Sequence, residues 1–236
     1  MKVNRLKKTI IILISVFVPY LTGCSSLVES PNIKPTTIPA IAPYVEPEYS
    51  ENFFTMSGEP IDFNALPEPI ELFYHAGANG PVRLLDYGIV MALTLEYNGQ
   101  ENQTDIGYMD ERFVTSENIS TGSTKAEVLA AYQKYGVVDV LEGYKRNTGN
   151  THSELELYLK NGVEEYSMEE LGSYGWLRLV KALAKNKGNI NTNDLLYIDN
   201  GTPNGIEQFG GLVALIFIFN DFDVLQMIIR TAPTSG

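Results

Sequence analysis

Two histidines, one cysteine and 29 acidic residues are the side chains best suited to nucleophilic, acid–base or metal chemistry in this 236-residue chain. His75 follows Phe73-Tyr74, and His152 lies in the polar run 147–153. They make no H-E-x-x-H or other close ligand spacing, and both read as exposed loop residues. No G-x-S-x-G elbow is present to activate a serine. Gly77-Ala78-Asn79-Gly80 lacks the lysine of a phosphate loop and leads into Pro81. Glu164-Glu165, Glu169-Glu170 and Asp221/Asp223 are the acid pairs that a glycosidase would need. Neighbours on a helix point about 100° apart, so the first two pairs do not converge on one substrate atom. Asp221 and Asp223 fall where a turn is expected, and Asp there bonds local backbone. The run from Asp199 to Glu207 is too sparse in acids for a calcium loop, and Pro203 is misplaced in it. These residues assign no catalytic group, no metal and no cofactor. Recognition is better served: tyrosine and tryptophan give rigid amphipathic contact area. Tyr166, Tyr174 and Trp176 are the expected binding residues, against the plainer expectation that aromatics pack at element boundaries.

The elements that must position these groups follow from periodicity. Ile70–Tyr74 and Ile89–Tyr97 are rich in β-branched and aromatic residues and read as strands. Asn98-Gly99 ends the second with a turn signal. Residues 100–118 are polar and show no period. Thr124 and Glu127 have the S/T-x-x-E spacing of a capping box. Val128, Leu129, Tyr132 and Tyr135 then recur at helical spacing, and Gly136 is placed as the left-handed terminator. Leu155–Lys160 alternates and predicts a strand turned by Asn161-Gly162. Residues 168–187 predict a helix, broken near its start by Gly172 and Gly175. Leu195–Ile198 predicts a short strand, and Asn200 to Gly205 a loop. Leu212–Phe219 is an unbroken apolar run, which fits a strand covered on both faces. Val224–Arg230 predicts its antiparallel partner. The expected fold class is α+β, a mainly antiparallel sheet with packed helices in a single domain.

The N-terminus speaks of address. Lys2, Arg5, Lys7 and Lys8 precede an apolar stretch from Thr9 to Thr22, which suits a signal peptide and is short for a membrane-spanning helix. Leu21-Thr22-Gly23-Cys24 closes it on the sole cysteine. This arrangement resembles the lipobox of bacterial lipoproteins. The resemblance implies cleavage before Cys24 and a diacylglycerol on its sulfur, two acyl chains being enough for stable anchoring. Residues 1–23 are then a signal peptide, 24–52 the lipidated cysteine and a tether, and 53–236 the globular domain. Pro31, Pro35, Pro39, Pro43 and Pro47 recur every fourth residue in the tether, favouring extended polyproline geometry. Loss of residues 1–23 leaves 13 basic against 29 acidic residues, a net charge of −16. Such a chain repels nucleic acid and anionic headgroups. With no thiol after Cys24 it forms no disulfide.

The stretch Ile119 to Tyr132, ISTGSTKAEVLAAY, resembles a recurring helix of small envelope lipoproteins. It is similar to that of the β-lactamase-inhibitor-like and outer-membrane-assembly lipoprotein domains, and more so to uncharacterised lipoproteins of Gram-positive bacteria. In the latter a hairpin follows, which Phe217, Phe219, Asp221, Val224 and Ile228 roughly fit. The chain departs from the pattern at Gln133, where such helices often carry Gly. The resemblance implies a binding or scaffold role and transfers no site. The expected function is that of an extracytoplasmic lipoprotein, held on the cell membrane through Cys24, which binds an envelope protein or a ligand. The alternative is an extracytoplasmic hydrolase of wall glycan or peptide, which requires at least two acids with raised pKa in one pocket.

Overall fold

A computed structural model of the chain describes residues 53–77, 80–149, 151–172, 174–199 and 213–231. Residues 1–52, where a signal peptide, a lipidated Cys24 and a tether are expected, and the loop expected at 200–205 lie outside the described residues. In chain order the elements are β1 (Ile70–Gly77), β2 (Gly80–Asp86), β3 (Val90–Tyr97) and β4 (Gln100–Tyr108). There follow α1 (Lys125–Tyr132), β5 (Val138–Asp139), α2 (Val140–Thr148), α3 (Ser153–Asn161) and α4 (Gly175–Lys187). The last three are β6 (Leu196–Asp199), β7 (Ala214–Phe219) and β8 (Leu225–Thr231). The strands make one sheet in the order β1-β2-β3-β4-β8-β7-β6-β5. Every pairing is antiparallel. The fold class is therefore the expected α+β.

Burial on both faces explains β7. All six of its residues are buried. Ile216 and Ile218 join the apolar cluster under α2, α3 and α4, whereas Leu215, Phe217 and Phe219 join the cluster on the other face. That second face is covered by α1, by residues 53–66 and by the segment around Phe113 and Ile119. A sheet roofed on both sides is why an unbroken apolar run, rather than an alternating one, marks its centre.

Local signals explain α1. The Thr124 hydroxyl accepts from the Glu127 N–H and the Glu127 carboxylate accepts from the Thr124 N–H, so the capping box is formed. Gly136 is left-handed at φ 74°, as placed. The helix is tied to the β7–β8 hairpin by backbone bonds from Lys125 to Asp223 and from Leu225 to Ser123. Tyr132 packs on Phe217 with ring centroids 5.1 Å apart.

Two expectations are corrected. Leu155–Lys160 is helical, within α3. The turn-to-turn spacing buries Leu155, Tyr158 and Leu159 in the apolar cluster that also holds the inner residues of α4, and leaves Leu157 49% exposed. A strand would have set Leu155, Leu157 and Leu159 on one face. Residues 100–108 form β4, whose first half is exposed and whose second half is buried, so no single period runs through it. Helix α4 begins at Gly175, where missing side chains let it lie close on the sheet. A Cβ at Gly175 would stand 2.6 Å from Leu93 Cδ2, and one on Gly107 would stand 2.9 Å from Leu179 Cδ2.

Candidate functional site

Residues 55–63 cross the sheet face opposite α4 and leave a cleft of about 720 Å³ against β4, β8 and the 114–116 loop. Glu59 stands inside it. Its carboxylate accepts from the Arg230 guanidinium, with Nη2–Oε1 3.1 Å, from the Met56 N–H at 3.2 Å, and from the Tyr108 hydroxyl. Burial raises its pKa, while Arg230 and the Met56 N–H pull it back. Arg230 pairs with Glu59 through Nη2, while its Nε is buried and has no hydrogen-bond partner among the described residues. The hydroxyl-bearing residues at the mouth are occupied in holding the loops. Ser57 Oγ donates to the Arg112 carbonyl and accepts from the Val114 N–H, and Thr115 Oγ1 accepts from the Ile119 N–H. The wall is apolar, built of Met56, Pro60, Ile61, Phe63 and Ile106.

A second cleft, of about 660 Å³, lies beside the first and shares Ile61, Phe63 and Gln103 with it. It adds Leu66, Pro67, Pro69 and Tyr87, together with Asp62, Glu68 and Glu101. Phe63 and Tyr87 pack with ring centroids 5.1 Å apart. Asp62 caps the short 3-10 turn Phe63–Ala65 by accepting from the Asn64 N–H, so this wall is held by its own backbone.

The other sheet face carries a closed polar cluster. Phe73, Leu84, Leu93, Asp105 and Thr231 stand opposite one another across five adjacent strands. Asp105 is thus placed under the start of α4, with its Oδ2 2.8 Å from where a Gly175 Cβ would be. Burial raises its pKa to about 7, against the pull of Arg178. Arg178 is buried, donates from Nε to the Met168 carbonyl at 2.8 Å, and lies 5.0 Å from the Phe73 ring centroid. Beside them Trp176 Nε1 donates to the Tyr144 hydroxyl at 2.7 Å, and His152 Nδ1 lies 3.0 Å from the Tyr174 hydroxyl. Glu59 and Asp105, the two acids raised by burial among the described residues, therefore face opposite sides of the sheet and share no pocket.

Tyr174 and Trp176 are buried in this cluster, each within 6.2 Å of the Tyr144 ring. Tyr166 is half-buried and packs edge-on to Tyr158 at 4.6 Å. The structure thus brings Tyr174 and Trp176 together around Tyr144, and places Tyr166 one ring away across Tyr158. His152 is half-buried rather than exposed, and His75 is exposed on β1, a strand rather than a loop. Glu164 and Glu165 form an exposed 3-10 turn, and Glu170 bonds back to Ser167. Asp221 and Asp223 lie in the β7–β8 turn, Asp223 at φ 58°. Among the described residues no group of three or more His, Cys, Asp or Glu is close enough to hold a metal ion. No helix there is long and apolar enough to cross a membrane. Sequence reasoning missed Glu59, Arg230, Asp105 and Arg178. Their neighbours in sequence carry no signal for them, because each acts with a partner distant in the chain.

Comparison of the chain with protein-family models, with curated proteins and with solved structures finds no match in any of the three.

Proposed function

We propose that the chain is a lipid-anchored extracytoplasmic lipoprotein whose domain acts by binding, with the clefts beside residues 55–69 as its binding surface. One observation carries the binding role: two adjoining clefts share the apolar residues Ile61 and Phe63, and their acids, Glu59, Asp62, Glu68 and Glu101, are spread along them. Glu59, the one raised carboxylate there, spends its acceptor capacity on Arg230, Tyr108 and Met56. Hydrolysis of wall glycan through paired carboxylates is poorly supported, because Asp105 lies beneath α4 on the far side of the sheet. The anchor rests on Leu21-Thr22-Gly23-Cys24 behind the basic and apolar leader.

The test is affinity capture of the tagged full chain from cross-linked membranes, beside a Cys24→Ala control. A partner enriched with the natural chain and lost with Cys24→Ala is expected. The reading fails if no protein is enriched with the natural chain, and the anchor fails if Cys24→Ala still fractionates with the membrane.

A further inference from the structure

We infer that the double groove along residues 59–69 takes a lysine- or arginine-rich extended segment of another protein. This deepens the binding reading above and rests on it.

The shape comes first. The two clefts lie on either side of a rigid wall, since Pro60, Pro67 and Pro69 fix backbone angles and Asp62 caps the turn between them. A wall already ordered loses little freedom when a ligand arrives. It presents Ile61, Phe63, Leu66 and Tyr87, all half-buried and all lining the second cleft, with Ile61 and Phe63 shared with the first. Aromatic rings set among prolines suit an extended polypeptide, whose alternate side chains find separate pockets while its backbone lies along the trough.

Charge then selects the occupant. The lining of the two clefts holds the acids Glu59, Asp62, Glu68 and Glu101, and its single cation, Arg230, is bound to Glu59. Beyond the lining, Glu96 stands opposite Glu101 on the neighbouring strand, and Arg83, opposite Thr94, is paired with Glu71. Glu101 accepts one bond, from the Thr94 hydroxyl at 2.7 Å, and a carboxylate has room for more. The acids are spread along the wall rather than gathered, so they fit charges repeated along a chain better than one metal ion. The protein's own tether is an unsuitable occupant. Between residues 25 and 52 it carries Glu29, Glu46, Glu48 and Glu51 against Lys34 alone, and like charges would meet.

The probe is a fluorescent peptide of four Lys-Pro-Ala repeats, titrated by anisotropy against the detergent-solubilised full chain. A matched peptide with Glu for each Lys, and spermine as competitor, complete the set. The variant is Glu68→Lys with Glu101→Gln: Glu68 is exposed, and glutamine keeps an acceptor for Thr94. The lysine peptide should bind, the glutamate peptide should not, and the variant should weaken binding roughly tenfold while added salt weakens it further. Peptide binding should also slow amide exchange in residues 59–69, a readout that does not depend on the variant. Equal binding to both chains, displacement by spermine at equal charge, or unchanged exchange in this segment each overturns the inference. Capture from cross-linked membranes with the same variant separates the two readings. A partner that still comes with the variant leaves the binding module standing and removes the groove as its seat.

Discussion

Asp105 is the residue whose environment has the clearest thermodynamic consequence. Its folded pKa of about 7 stands above the ordinary value of 3.8 because burial penalises the ion more than Arg178 relieves it. Between those two values the folded chain keeps a proton that the unfolded chain releases. Stability should therefore fall as pH rises from about 4 to about 7, by roughly 1.4 kcal/mol per unit at most, and stay at that lower level above. Asp105→Asn should flatten this slope, which urea melts at pH 5 and pH 8 on both chains will read. An equal slope in the two chains would show that Asp105 does not titrate in that window. Glu59 responds in the same direction, but Arg230 and the Met56 N–H oppose its burial. None of this was legible from the residues alone. Asp105 sat in a polar run without period, and its charge partner comes from α4. Conversely, Tyr174 and Trp176 stood out as aromatics, but burial in the α4 cluster turns them toward structure.

At the scale of elements, local rules read α1 well because every signal it uses lies within a few residues. Thr124, Glu127 and Gly136 each act on their own backbone. Helix α3 differs from the expected strand because Glu-Leu-Glu-Leu alternates like a strand, while Leu155, Tyr158 and Leu159 reach the shared apolar cluster together only at helical spacing. Helix α2 shows packing overruling propensity. Alanine normally gains about 0.5–1 kcal/mol over glycine within a helix. At Gly143, however, a Cβ would stand 2.1 Å from Tyr197 Cδ1 on β6. Gly143→Ala should therefore destabilise by about 1–3 kcal/mol, the usual cost of overpacking, and a thermal melt decides between the two signs. A raised melting temperature would mean that Tyr197 moves aside freely.

For the whole sheet, the order of strands predicts an order of exchange. Strands β4, β8 and β7 lie inside, whereas β1 and the two-residue β5 are the edges. Amides of β7, buried on both faces, should exchange slowest and near the global unfolding limit, and those along the outer side of β1 fastest. Hydrogen exchange followed by mass spectrometry reads this directly. Faster exchange in β7 than in β1 would contradict the pairing. Strand β1 also carries exposed Ile70 and Tyr74, and its pairing with β2 is interrupted by a bulge between Glu71 and Phe73. Such an irregularity discourages edge-to-edge association.

The sequence by itself determined the features that depend on near neighbours or on burial averaged along a run. These are the capped α1, the glycine breaks before α4, the doubly covered β7 with its returning β8, and the α+β class. It also carried the Leu21–Cys24 motif, on which the proposed anchor rests and which lies outside the described residues. Only the tertiary structure decided which side chains meet. Pairing β4 with β8 sets Ile106 opposite Arg230 and Asp105 opposite Thr231, which sends one charge to the cleft and the other beneath α4. Hydrophobic periodicity says that a residue is inside or outside. It does not say what stands across from it, because strand order and register are chosen by the packing of the whole sheet.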